Sequence, residues 1–467
     1  MHKSVPPARF EAPDAAPSPD SARRPPYTLE RTAASAAFAL RALRHRNFRL
    51  FTIGQTISLI GTWMQQVAVG WLVYRLTGSA LLLGLVGFVS QGPGFLLAPI
   101  AGVLADRLNK HRIVFTTQLI MMVQALLLGT LVLTDQITIG WILMLMAVLG
   151  GATGFDIPAR QSFLIDMVGD RDDLPNAIAL NSSMFNAARL VGPAIAGFAI
   201  AGFGEGWVIM LNGISYVAVL AALAAMRLPT YERGRSGPVL RGLHEGLGYA
   251  FGFLPIRMVL LLVATVSLLG VPFSVLLPVV ATETLGGGPR TLGLLMGATG
   301  LGALGGALFL AARSTVIGLG RIIMIAAIGF GTALVLFAFS ASLWTSVVLL
   351  VAAGFGMMTQ MASCNTVLQT IVDDDKRGRV MSFYTMAFTG TAPIGSLLLG
   401  FLADHVGAPA AIGVGGAVCI TAGIVFGRRL PMLRRLIRPI YARLGILPEV
   451  ARGIQAATHQ TTPEVDD

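Results

Sequence analysis

Twelve long apolar runs constrain this chain more than any other feature. They lie at 49–75, 79–104, 113–133, 138–157, 177–201, 207–226, 256–282, 291–312, 319–340, 344–364, 380–402 and 408–427, separated by short turns. A helix of about 20 residues crosses the roughly 30 Å hydrocarbon core of a bilayer. Inside that core every backbone polar group must be satisfied locally, so such runs can only be helices. Charged residues make up 12% of the 467-residue chain, against about 25% in soluble proteins, which leaves too little polar surface for a water-soluble fold. The expected class is an all-α membrane protein with twelve transmembrane helices.

Charge placement orients these spans. All but three of the 34 lysines and arginines fall in the even-numbered loops and the two tails; the exceptions are Arg75, Arg290 and Arg189, and the last lies within a span. The loops at 134–137, 202–206, 341–343 and 403–407 have none. The positive-inside rule then puts both termini in the cytoplasm of a cell whose inner membrane holds the protein. No apolar core follows Met1, so no cleaved signal peptide is expected. Residues 1–37, with seven prolines, read as a disordered cytoplasmic tail. Residues 38–51 mix Phe38, Leu40, Leu43 and Leu50 with Arg41, Arg44, Arg46 and Arg49, the pattern of a helix lying on an anionic surface. Residues 428–467 form a basic cytoplasmic tail, in which Leu433, Leu436, Ile437 and Ile440 stand against Arg434, Arg435 and Arg438 as in a second surface helix.

The longest connection, 227–255, divides the chain into six-helix bundles at 38–226 and 256–427. Ser58-Leu59-Ile60-Gly61 matches Ser267-Leu268-Leu269-Gly270, Gly84-Leu85 matches Gly293-Leu294, and Arg112-Ile113 matches Arg321-Ile322, all at one offset; Pro193 and Pro393 share a second. Two six-helix pseudo-repeats account for this, with a substrate path at their interface near the bilayer midplane.

Polar residues inside the spans mark candidates for that path. On span one, Gln55, Ser58, Thr62 and Gln65 or Gln66 recur every three or four residues, with Trp63 and Trp71 close by. This face either meets a large, partly polar organic substrate or holds helices together. On span five, Ser182, Asn186, Arg189 and Pro193 share a face. A charge within a span costs several kcal/mol and normally faces a cavity or a partner, so Arg189 is expected on the path. On span ten, Met357, Gln360 and Met361 offer a soft wall or ordinary core packing.

Other chemistries lack their residues. The lysines are Lys3, Lys110 and Lys376, and none closes a phosphate-binding loop, so nucleotide hydrolysis is not expected. Cys364, Cys419 and the six histidines show no ligand spacing. No metal, cofactor, catalytic constellation or nucleic-acid partner is expected, and the chain reads as a non-enzyme.

Two motifs carry a resemblance. After span two stands Gly102-Val-Leu-Ala-Asp106-Arg107-Leu-Asn-Lys110-His-Arg112. Gly102 permits close helix approach, and Asp106 at a span end can accept hydrogen bonds from basic groups or a helix N-terminus. The stretch resembles the loop between spans two and three of the major facilitator superfamily, with Asn109 where glycine is usual. By that resemblance Asp106, Arg107 and Arg112 form a latch that ties the halves together in the outward-facing state, with Asp156 a further member. Span five reads Gly192-Pro193-Ala-Ile-Ala-Gly197 and resembles the signature of drug antiporters; the same residues would also serve packing. The segments 61–79 and 155–181 resemble the enterobactin exporter and drug efflux group of the superfamily. The resemblance covers about 40–430 and implies the major facilitator fold, export of a siderophore or drug-like compound, proton antiport, alternating access and a monomer. The residues leave a lipid flippase of the same fold open as a second reading, and they do not identify a proton-carrying residue.

Overall fold

The computed structural model describes residues 40–169, 171–227, 251–313 and 315–446, excepting the side chains at 98, 99, 102, 103, 105–107, 171, 374 and 375. Among these residues there is no strand, and twelve long helices follow one another: α1 Arg46–Thr77, α2 Ala80–Arg107, α3 Lys110–Leu133, α4 Ile139–Val168, α5 Leu174–Phe203, α6 Glu205–Ala224, α7 Leu254–Thr284, α8 Pro289–Ala311, α9 Leu319–Ala338, α10 Leu343–Ile371, α11 Lys376–Val406 and α12 Ala408–Arg443. Eleven are long and apolar enough to cross a bilayer. The other is α1, whose 32 residues suffice in length but include the polar face noted above.

Local chemistry sets the helix ends. The side chains of Ser79, Asn109 and Thr138 accept hydrogen bonds from the backbone N–H groups of Leu82, Arg112 and Trp141, capping α2, α3 and α4. Asn109, which stands where the motif it resembles has glycine, thus caps α3. Gly78 and Gly169 close α1 and α4 at φ of 61° and 69°, where a side chain would be strained.

The repeat seen in the sequence reappears as packing. A Cβ on Gly61 would strike Asn212 and Ser215, where α1 sits on α6; on the matching Gly270 it would strike Cys419 of α12 and Phe330 of α9. A Cβ on Gly84 would come within 3.1 Å of the Cα of Gly400, where α2 crosses α11. On its match, Gly293, a Cβ would lie 2.7 Å from the Cα of Gly197, where α8 crosses α5. Both crossings join helices of opposite halves, and small residues there let the backbones touch. Both lie toward the end of the bundle away from the basic loops, hereafter the outer end.

Two helices are irregular. Within α7 the turns 266–270 and 280–284 are π-helical and flank a 3-10 segment at 271–276; α11 has a π turn at 386–390. The irregular parts abut, since Thr391 donates to the carbonyl of Ala264 (3.3 Å) and a Cβ on Gly395 would collide with the carbonyl of Leu268. Such turns recur at functional positions in helices.

Three sequence expectations change. The segment expected as a surface helix over 38–51 is, from Leu40 on, a 3-10 turn at Arg41–Arg44 followed at once by α1. Arg41 and Arg44 reach Asp173, as described below, while Arg46 and Arg49 are exposed. The second surface helix is not separate: α12 runs unbroken through Pro431 and Pro439 to Arg443, with Leu430 and Leu433 buried in the core. Asp156, expected at the end of its span, lies within the 30-residue α4. Residues 1–37, most of the linker and the last residues of the chain lie outside the described residues.

Candidate transport path

The polar face of α1 divides into two parts. Gln65 is buried; it accepts from Asn212 Nδ2 of α6 (2.6 Å) and donates to Gln124 Oε1 of α3 (3.3 Å). Thr62 bonds the carbonyl of Ser58 (2.9 Å) and stands 3.3 Å from the hydroxyl of Tyr216. Gln55 and Ser58 are buried as well. Gln65 and Thr62 thus tie α1 to α3 and α6 within one half, the helix-holding alternative for this face. A shared helical face showed that they act together, but not that two further polar helices lie opposite. Gln66 alone of the set is exposed.

Arg189 lies where helices of the two halves meet. Its guanidinium carbon lies 5.8 Å from the centroid of the Trp63 ring, and Trp63 also meets Phe185 edge-on at 5.8 Å. A Cβ on Gly300 would lie 3.0 Å from the Arg189 carbonyl, so α1, α5 and α8 converge here across the two halves. Among the described residues no carboxylate pairs with Arg189. Asn186, one turn earlier, donates to the carbonyl of Ser182 (2.9 Å). Gly192 seats α5 on α1, where a Cβ would come within 2.5 Å of Trp63 Cβ, while Pro193 and Gly197 face α8.

The span-ten residues are packed in the interior. Met357 and Met361 are core residues at 5% exposure each, and Gln360 is fully buried with its amide 3.5 Å from Cys364 Sγ. They face packed helices rather than an open wall, because the glycine face of α10 draws it tightly onto α8: a Cβ on Gly354 would collide with the Thr299 carbonyl.

Of the expected latch, the side chains of Gly102, Asp106 and Arg107 lie outside the described residues. Arg112 is exposed at the start of α3. Asp156 is buried and accepts from Thr117 Oγ1 and Gln118 Nε2, each at 3.0 Å, with Arg160 Nε at 3.3 Å from its other oxygen. Every one of these partners belongs to the same half. Lys110 pairs with Asp166 at 3.1 Å, tying α3 to α4.

Four acids missed from sequence organise the ends. At the basic end, the buried Asp173 gathers Arg41, Arg44 (2.7 Å) and His45 (2.7 Å). Burial raises its carboxyl pKa, but the His45 hydrogen bond and the two arginine charges outweigh it and hold the carboxyl below the ordinary aspartate range. At the outer end, Asp404 of α11 accepts from the backbone N–H of Ala80 (2.7 Å) and Leu81 (3.1 Å) and from Ser79 Oγ (3.0 Å). A carboxylate from one half thus caps the positive N-terminus of α2 in the other. Tyr74 of α1 donates to Glu283 of α7, a second bond between the halves. Arg75 pairs with Glu205 within the first half. The signal for Asp404 was slight: a lone acid in a loop without basic residues.

Comparison with known proteins follows this geometry. The family described as "Transmembrane secretion effector" matches residues 36–436. A staphyloferrin A transporter of Staphylococcus aureus is 27% identical over 82% of this chain and 96% of its own length. The multidrug efflux pump Tap of Mycolicibacterium fortuitum is 28% identical over 80% of this chain and 93% of its own. Among solved structures, that of a peptide transporter POT superposes with a TM-score of 0.69 at 13% identity, covering 84% of this chain and 96% of that one, a likeness of fold.

Proposed function

The chain belongs to the family of transmembrane secretion effectors within the major facilitator superfamily, and from that footing we propose that it exports a siderophore or drug-like molecule by proton antiport through alternating access. It is a multi-pass membrane protein and a secondary transporter of small molecules. The observation that carries the substrate reading is Arg189: a guanidinium at the junction of α1, α5 and α8, stacked on Trp63 and without a described carboxylate partner. A charge placed so is costly unless a ligand or water meets it. With Gln66 and Asn186 it forms the proposed path.

In this reading the basic loops and both tails lie in the cytoplasm, the protein is a monomer in the inner membrane, and the outer end faces outside. Asp404 and the glycine crossings then hold the outside closed, which is the state that takes substrate from the cytoplasm. Asp106, Arg107 and Arg112 form the opposing latch, engaged once the cytoplasmic side closes.

The test is efflux from cells bearing the protein, against siderophores, macrolides and dyes, with and without a protonophore. Protonophore-sensitive export supports the reading; movement of lipid alone, with the protein correctly inserted, would replace it with a flippase. Asp106→Asn should cut transport while leaving insertion intact, and normal efflux would count against the latch.

A further inference from the structure

A cavity of about 600 Å³ opens at the basic end of the second half, between the α8–α9 loop, the start of α9 and the far end of α12. Four arginines line it, Arg313, Arg321, Arg434 and Arg438, and no acidic residue does. Its floor is apolar, with Val259, Phe426 and Ile437. Arg313 is committed to the loop itself, bonding the carbonyls of Thr315 (3.0 Å) and Ile317 (2.5 Å). Arg321 and Arg434 are exposed, and neither forms an ion pair with a described carboxylate.

The depth of this cavity is set by helix length. At 1.5 Å per residue, about 20 residues of α12 cross the hydrocarbon, which brings the membrane boundary close to Arg428. The turn from Leu430 to Arg434, within about 9 Å of that boundary, therefore stands at the headgroup level. Just below, Ile325 of α9 also lines the cavity and is 56% exposed on the side where acyl chains run. Apolar walls toward the hydrocarbon and the charges of Arg321 and Arg434 at the headgroup match an amphiphilic anion rather than a soluble one.

We propose that this cavity binds an anionic glycerophospholipid, its phosphate between Arg321 and Arg434 and an acyl chain along the apolar floor, fastening the end of α12 to the α8–α9 loop. The site is separate from the transport path, so its test does not depend on the substrate. The experiment uses the purified full chain in neutral detergent, titrated with phosphatidylglycerol, with phosphatidylcholine, and with inorganic phosphate alone. Bound lipid is read by native mass spectrometry and stability by thermal unfolding.

Phosphatidylglycerol should bind and raise the melting temperature, while phosphatidylcholine and phosphate should not. Arg321→Gln with Arg434→Gln should weaken phosphatidylglycerol about tenfold or more. Arg429→Gln with Arg435→Gln removes the same charge outside the cavity and should leave binding near that of the unaltered chain. Equal binding of both lipids, an equal shift by phosphate alone, or equal loss in the two variants would overturn the site. If the first variant fails to fold, the lipid comparison on the unaltered chain still decides.

Discussion

At the scale of single residues, polar side chains in these helices do two jobs that the sequence pattern alone does not separate. Gln65 and Arg189 both sit on polar faces, yet the first is bonded on both sides within one half and the second rests on an aromatic ring between halves. Their substitutions should part accordingly. Gln65→Leu should lower thermal stability in detergent by about 1 kcal/mol, the usual value of an interhelical polar contact in membrane proteins, and leave apparent substrate affinity unchanged. Arg189→Ala should weaken transport about tenfold, as loss of a charged hydrogen bond to a ligand would, with Arg189→Lys partly restoring it; concentration-dependent efflux distinguishes the two. Asp173 yields a prediction in pH. Its carboxyl pKa is lower when folded than in an unfolded chain, so its stabilisation is complete above the unfolded value near 4 and is lost as pH falls through the folded one. Melting temperature should therefore fall in acid below about pH 4, and fall less steeply with pH in Asp173→Asn. Two of Asp173's partners, Arg41 and Arg44, were visible as basic residues in the sequence, but they read as membrane contacts because nothing local shows that the loop at Asp173 returns to them.

At the scale of helices, α2 with α11 and α5 with α8 make the crossings between the halves. Gly84 and Gly293 match in sequence register, and each proves to be the point where one half touches the other. That much was legible, since glycine at a repeated position in a membrane helix signals close approach. The cap from Asp404 was not, because acceptor and donors are 324 residues apart and Ser79 already provides a local cap for α2. Two substitutions should loosen the same end by different routes. Gly293→Val inserts bulk where a Cβ already meets backbone at 2.7 Å. Asp404→Asn removes a charge facing a helix N-terminus, worth about 1 kcal/mol or a fivefold change in population. Both should raise thiol labelling of a cysteine placed at Trp71, read from outside the cell, and unchanged labelling in both would show that these contacts do not hold the outer end shut. The π turns of α7 and α11, by contrast, carry no clear sequence mark beyond nearby prolines and glycines.

At the scale of the whole molecule, twelve spans were legible because the bilayer allows an apolar run few alternatives. Their internal faces were less so: periodicity reports which residues share a side of a helix, and tertiary packing decides whether that side meets lipid, a neighbour or a path. Hence Arg189 stayed a path candidate while Met357, Gln360 and Met361 went to the core. The molecule that results has two similar halves, touching at one end through small residues and a carboxylate cap, with a lone guanidinium at the junction below. In an exporter these parts imply motion: the outer contacts must break for substrate to leave. The most direct test loads inside-out membrane vesicles with an imposed proton gradient and follows accumulation of siderophores and drugs by the inserted protein. The account predicts uptake of at least one compound that collapses with a protonophore and falls in Arg189→Ala. Uptake that ignores the gradient, or none from correctly inserted protein, would contradict it.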